Sequence, residues 1–101
     1  MRSTERLRIH SDKDNNQGTT HMNIQLIDGH FSPRESLDLI TRMIHVKISF
    51  HEEKIREAKT EEDVKMRESR IRQLQRDLYE IRNQLQNRNE AVDLTSHIEL
   101  T

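Results

Sequence analysis

From Val64 to Leu85 the apolar side chains fall on one narrow stripe. Val64, Ile71, Leu74, Leu78, Ile81 and Leu85 follow alternating steps of three and four, and Arg67 takes the one skipped place. Only an α-helix brings such residues to one side, and a stripe this narrow is buried by a single partner surface. Glu61 with Lys65, Asp63 with Arg67 and Glu68 with Arg72 are acid-before-base pairs four residues apart, each worth about 0.2–0.5 kcal/mol to a helix. The seam therefore calls for a second helix of matching length.

That helix is announced upstream. In Phe31-Ser32-Pro33-Arg34-Glu35, Ser32 is placed as N-cap, Pro33 as first helical residue and Glu35 as the acid that completes a capping box. Leu37, Ile40, Ile44, Ile48, His51, Ile55 and Ala58 then form one face, and Leu39, Met43, Val46 and Phe50 form a second, shorter row. Two rows cover too wide an arc for one partner, so the second row is expected to face another copy of the chain. His51, within the seam, is expected as a neutral imidazole bonded to a polar neighbour. Arg67 and Arg88 can lay their stems on the seam and keep their heads wet. In a coiled coil such a cation would instead specify register or partner.

Between the helices, Lys59-Thr60-Glu61-Glu62-Asp63 reads as punctuation, with Thr60 a cap and three acids at the positive end of the next helix. No Gly or Pro enforces the break, and one continuous helix is the alternative. Both ends of the unit alternate. Met22 to Ile27 reads as a short strand running into an Asp28-Gly29 turn, and Val92, Leu94, Ile98 and Leu100 as a closing strand. An antiparallel hairpin brings these strands together. The fold class expected is mainly α: a coiled-coil-like two-helix hairpin flanked by a short strand at each end, dimeric or higher. Residues 1 to 21 are expected to be a disordered tail, and residues 22 to 101 the folded domain. Because the pattern starts at Met22, that residue is a candidate natural start.

Composition agrees with thin geometry. Leu, Ile, Val and Phe make up 24 of 101 residues, 35% are charged, and the net charge is only -1. That leaves no room for a thick core, yet lies above the range of chains that stay disordered. With no cysteine, disulfides, cysteine zinc sites and thiol nucleophiles are all excluded, and a cytoplasmic setting is expected. Gly18 and Gly29 cannot assemble a phosphate-binding loop. No apolar run approaches the length of a membrane span, so no membrane partner is expected.

Six histidines raise the question of metal. His45 and His51 fall on different helix faces, and His51-Glu52-Glu53 is followed by Lys54 and Ile55 rather than a second histidine at the spacing of a zinc helix. His30, beside the strand ends, is the histidine of most interest. Acids and bases alternate around the helices without a cleft to converge on, so neither catalytic residues nor a cofactor are expected. Nucleic acid is the stronger rival: from Lys65 to Arg88 seven bases face three acids. Lys65, Arg72 and Arg76 share the outer face, but Glu68 and Glu80 flank them and stacking aromatics are scarce.

The block MNIQLIDGHFSPRESLDLITRMIHVKISFHEEKI at residues 22 to 55, with KMRESRIRQLQRDLY at 65 to 79, resembles a group of small proteins from Bacteroidetes-type bacteria. The shared features are the I-x-L-I-[DN]-G-x-F-S opening, the segment from Ile44 to Glu52, the basic run from Arg70 to Leu74 and an alternating C-terminal tail. The resemblance implies a strand-helix-helix-strand protein of about 80 residues in a bacterial cytoplasm, and it brings no activity with it. The function expected is that of a non-enzymatic, self-associating interaction module. Partners are a second copy or another protein, with a nucleic-acid-associated role for the second helix as the alternative.

Overall fold

The structure, a computed structural model, describes residues 4–5, 8–13 and 20–101. The element order is β1 (Thr4–Glu5), β2 (Arg8–Lys13), β3 (Thr20–Phe31), α1 (Pro33–Glu57), α2 (Glu61–Gln86) and β4 (Val92–Leu100). The expected strand-helix-helix-strand order is present and the protein is mainly helical. The chain divides into two compact units, a sheet built from its two ends and a helical hairpin from Pro33 to Arg88.

In the hairpin, α1 begins at Pro33, directly after Ser32, as the capping signal requires. The expected break between the helices is also present. α1 ends at Glu57, and Thr60 is extended at φ -128°, ψ 153°. The Thr60 hydroxyl accepts a hydrogen bond from the Asp63 amide at 3.1 Å. That satisfies one of the four amides a helix start leaves without a carbonyl, and Glu61, Glu62 and Asp63 lie at the positive end of the dipole. At the other end the chain leaves α2 through Asn87.

α1 and α2 pack against each other. Leu78 and Leu85 are buried, and Leu37, Ile40, Ile44, Ile48, Ile55, Val64, Ile71, Leu74 and Ile81 are half-buried. Half-burial is what two helices alone can supply, since each covers only one side of the other. At about 25 cal/mol per Å2 of apolar surface, such a seam gains its stability from the number of its side chains rather than from any one.

The sheet unit is antiparallel throughout, with β3 at its centre. β4 runs along one edge of β3 from Met22 to Phe31, so β1 and β2 lie along the other. The tail expected over residues 1 to 21 lies largely outside the described residues. Where its backbone is described, it is strand beside β3.

β3 departs from the expected turn. Asp28 and Gly29 lie inside the strand, opposite Thr95 and Leu94, and pairing continues to Phe31. What interrupts the strand is a bulge: Gln25 faces His97 and Ile27 faces Ser96, leaving Leu26 without a partner in β4. The register against β2 and β1 shifts by one residue across the same stretch. An extra residue in a strand reverses the facing of everything after it. Here it brings Met22 and Ile24 onto the same face as Ile27 and Phe31, the face that also carries Val92, Leu94, Ile98 and Leu100. Long-range pairing with β4 has overridden the local turn preference of Asp-Gly.

Candidate functional site

The helical unit buries two polar side chains, Ser36 and His51, both on α1. His51 is buried, at 6% exposure, and its Nδ1 accepts a hydrogen bond from Nη1 of Arg67 at 3.1 Å. A guanidinium can only donate, so Nδ1 carries the lone pair in this contact. Burial, and after it the positive charges of Arg67, Lys47 and Arg70, hold the imidazole below its ordinary pKa of 6.5. The seam histidine is thus bonded to a polar neighbour, as expected, and that neighbour is the arginine occupying the skipped place in the α2 stripe.

Phe50 stands next to His51 and is 43% exposed. Its ring meets that of His51 edge-on, with centroids 5.8 Å apart and planes at 66°. Three cations surround it: Lys47 Nζ at 5.3 Å from the ring centroid, Lys54 Nζ at 5.5 Å and Arg67 Cζ at 5.8 Å. Each such contact contributes about 0.5–1 kcal/mol at an exposed site. Arg67 therefore joins the helices through His51 and steadies Phe50 in the same pose.

Phe50 closes the second row of α1. Met43 is 37% exposed, Val46 71% and Phe50 43%, while Leu39 is half-buried. Ser49, Glu52, Glu53 and Arg56 border Val46 and Phe50 around a shallow depression, giving the apolar row a charged rim.

On α2, Lys65, Arg72 and Arg76 are exposed. Arg76 Nη2 donates to Gln73 Oε1 at 2.8 Å, and Gln73 Nε2 donates to Asp77 Oδ1 at 2.9 Å. Part of the basic face is thus tied back onto its own helix. Arg72 and Arg76 share a surface depression with Tyr79, which is 63% exposed, and with Glu80.

The polar face of the sheet holds the remaining histidine contacts. His30 Nδ1 bonds to Asp93 Oδ1. His97 contacts Gln25 Oε1 through Nδ1 at 3.1 Å and Asn23 Oδ1 through Nε2 at 3.2 Å. These are cross-strand pairs, each joining a β3 residue to β4. Among the described residues no group of three or more histidines and carboxylates is placed to hold a metal ion. No helix of the described residues is long and apolar enough to cross a membrane.

Comparison with protein-family models, curated proteins and solved structures finds no match to this chain.

Proposed function

We propose that this protein is a non-enzymatic interaction module that associates with copies of itself through the second row of α1. The observation that carries this reading is the exposure of Met43, Val46 and Phe50 outside the intramolecular seam. Only 24 of the chain's 101 residues are Leu, Ile, Val or Phe, and Met43, Val46 and Phe50 stand exposed together on one stretch of α1. Contiguous apolar surface with a polar rim is the usual mark of an association site. Leu39 extends the row, and the three cations around Phe50 fix the orientation of its largest side chain. The three-and-four spacing of α2 supports coiled-coil-like packing, and the absence of cysteine supports a cytoplasmic setting. The acids and bases alternate along the helices and do not converge, which supports a role in binding rather than in chemistry.

Sedimentation equilibrium tests the reading. A dimer or higher oligomer is expected at micromolar concentration, and Val46→Glu should shift it toward monomer while leaving the helical circular dichroism unchanged. A wild-type protein that stays monomeric throughout this range would overturn it.

A second reading has one observation in its favour, the grouping of exposed Tyr79 with Arg72 and Arg76, an aromatic ring beside two guanidinium groups. Together with Lys65 these residues would contact a nucleic-acid backbone and stack on a base. Binding to non-specific RNA or DNA that weakens steeply with salt is its expected signature, and no binding at low salt removes it.

A further inference from the structure

β4 gives one edge to β3, and its other edge has no strand partner among the described residues. The strand is nine residues long, VDLTSHIEL. It contains no Pro, no Lys or Arg, and no extra residue of its own, since the bulge belongs to β3; its only acids are Asp93 and Glu99. Its apolar face is uneven, with Val92 buried at 9% exposure while Ile98 and Leu100 stand 41% and 53% exposed. A strand of this kind is a template for pairing.

We propose that β4 pairs antiparallel with β4 of a second copy about a two-fold axis at Thr95, joining two sheets into one. This rests on the self-association argued above and adds to it a backbone surface on the sheet. Charge selects the occupant and the register. With the axis at Thr95, Asp93 of each copy stands opposite the second copy's His97, so an acid meets an imidazole twice and no like charges face each other. With the axis one residue along, at Ser96, Asp93 would stand opposite the second copy's Glu99, and two acids would meet twice. Like charges directly opposite each other destabilise a strand pair, so the Thr95 register is favoured by the acid pair it avoids.

The Thr95 register also uses what the sheet already contains. His30 pairs with Asp93 and Gln25 with His97 within one copy. Pairing at Thr95 therefore lines up His30, Asp93, the second copy's His97 and the second copy's Gln25 in one row across four strands. Thr95 meets its own counterpart, a favourable cross-strand pair. On the other face, exposed Ile98 meets the second copy's Val92. Asp93, Thr95 and His97 are all exposed in the single chain.

The test exploits a chain with no cysteine of its own. Thr95→Cys should yield a disulfide-linked dimer under mild oxidation, and Ser69→Cys, exposed on α2 outside both proposed surfaces, should not at equal concentration. His97→Glu, which sets an acid opposite Asp93, should weaken dimerisation roughly tenfold, since two pairs are affected. Adding Asp93→Lys should restore affinity to within about threefold of wild type, because the double variant again opposes acid and base. Recovery of this kind cannot come from damage to the fold. A sedimenting dimer in which Thr95→Cys stays unlinked, or in which the double variant shows no recovery, overturns this inference and leaves self-association through α1 standing. A wild-type monomer overturns both. Should Asp93→Lys unfold the sheet by losing His30, the cysteine result decides alone.

Discussion

His51 and Arg67 meet across the helical hairpin, the arginine donating to the imidazole Nδ1 at 3.1 Å inside an otherwise apolar seam. The contact requires an imidazole that keeps a lone pair on that nitrogen. Protonating His51 would turn a hydrogen bond into an encounter between two cations.

Stability should therefore fall with acid. Because the folded-state pKa of His51 lies below the unfolded value of 6.5, the unfolded chain takes up the proton first as pH drops. The contribution of His51 is complete above about pH 6.5 and is lost as pH falls toward its folded pKa. Thermal melts of wild type and His51→Leu at a series of pH values should differ in slope over that window, with the variant flatter. Parallel profiles would remove His51 as the source.

The seam should respond steeply to truncation at its buried positions and weakly outside them. Leu78→Ala is expected to cost about 2–4 kcal/mol. The neighbouring Tyr79→Ala, at a side chain 63% exposed, should stay within about 0.5 kcal/mol. Chemical denaturation of both variants measures the difference, and equal costs would mean that α2 presents a different face to α1.

The start of α2 depends on one hydroxyl. Thr60→Ala removes the acceptor for the Asp63 amide and should cost about 1 kcal/mol. Thr60→Ser or Thr60→Asp should recover most of it, since either side chain can accept the same bond. Loss without recovery in a denaturation series would place the effect elsewhere in the connector.

The bulge makes an unusual deletion permissible. Gln25 and Ile27 already face adjacent residues of β4, His97 and Ser96, so deleting Leu26 leaves a regular ladder with both registers intact. Deleting Asp28 instead moves Ile27 and Phe31 to opposite faces. Melting temperatures should rank wild type and the Leu26 deletion close together and the Asp28 deletion well below. The reverse order would mean that the extra residue is needed for its own contacts.

Much of the helical unit could be read in the sequence because its signals are local. Ser32-Pro33 and Thr60 mark helix starts in a few residues each, and the three-and-four spacing names both sides of the seam. Even the bonded state of His51 follows from a polar ring placed among isoleucines. Its donor was harder to identify, since Arg67 lies 16 residues away and its place in the stripe fits either a stem laid on the seam or a choice of register and partner. The strand through Asp28-Gly29 could not be read locally, because the dipeptide favours a turn and only pairing with β4 overrides it. A cue was nonetheless present: Leu26 and Ile27 stand side by side where alternation allows one apolar residue, marking the point at which the pattern changes phase.

The pairing of His30 with Asp93 spans 63 residues, and this separation sets an order of events for the growing structure. Helical contacts such as that of His51 with Arg67 close short loops and form early; a ladder between distant strands must first meet the entropy of closing a long one. A folded hairpin shortens that loop by replacing a free chain with two rods. The β3–β4 ladder is then expected to form late, and its amides should be the ones that exchange with solvent through partial opening while the helices stay protected.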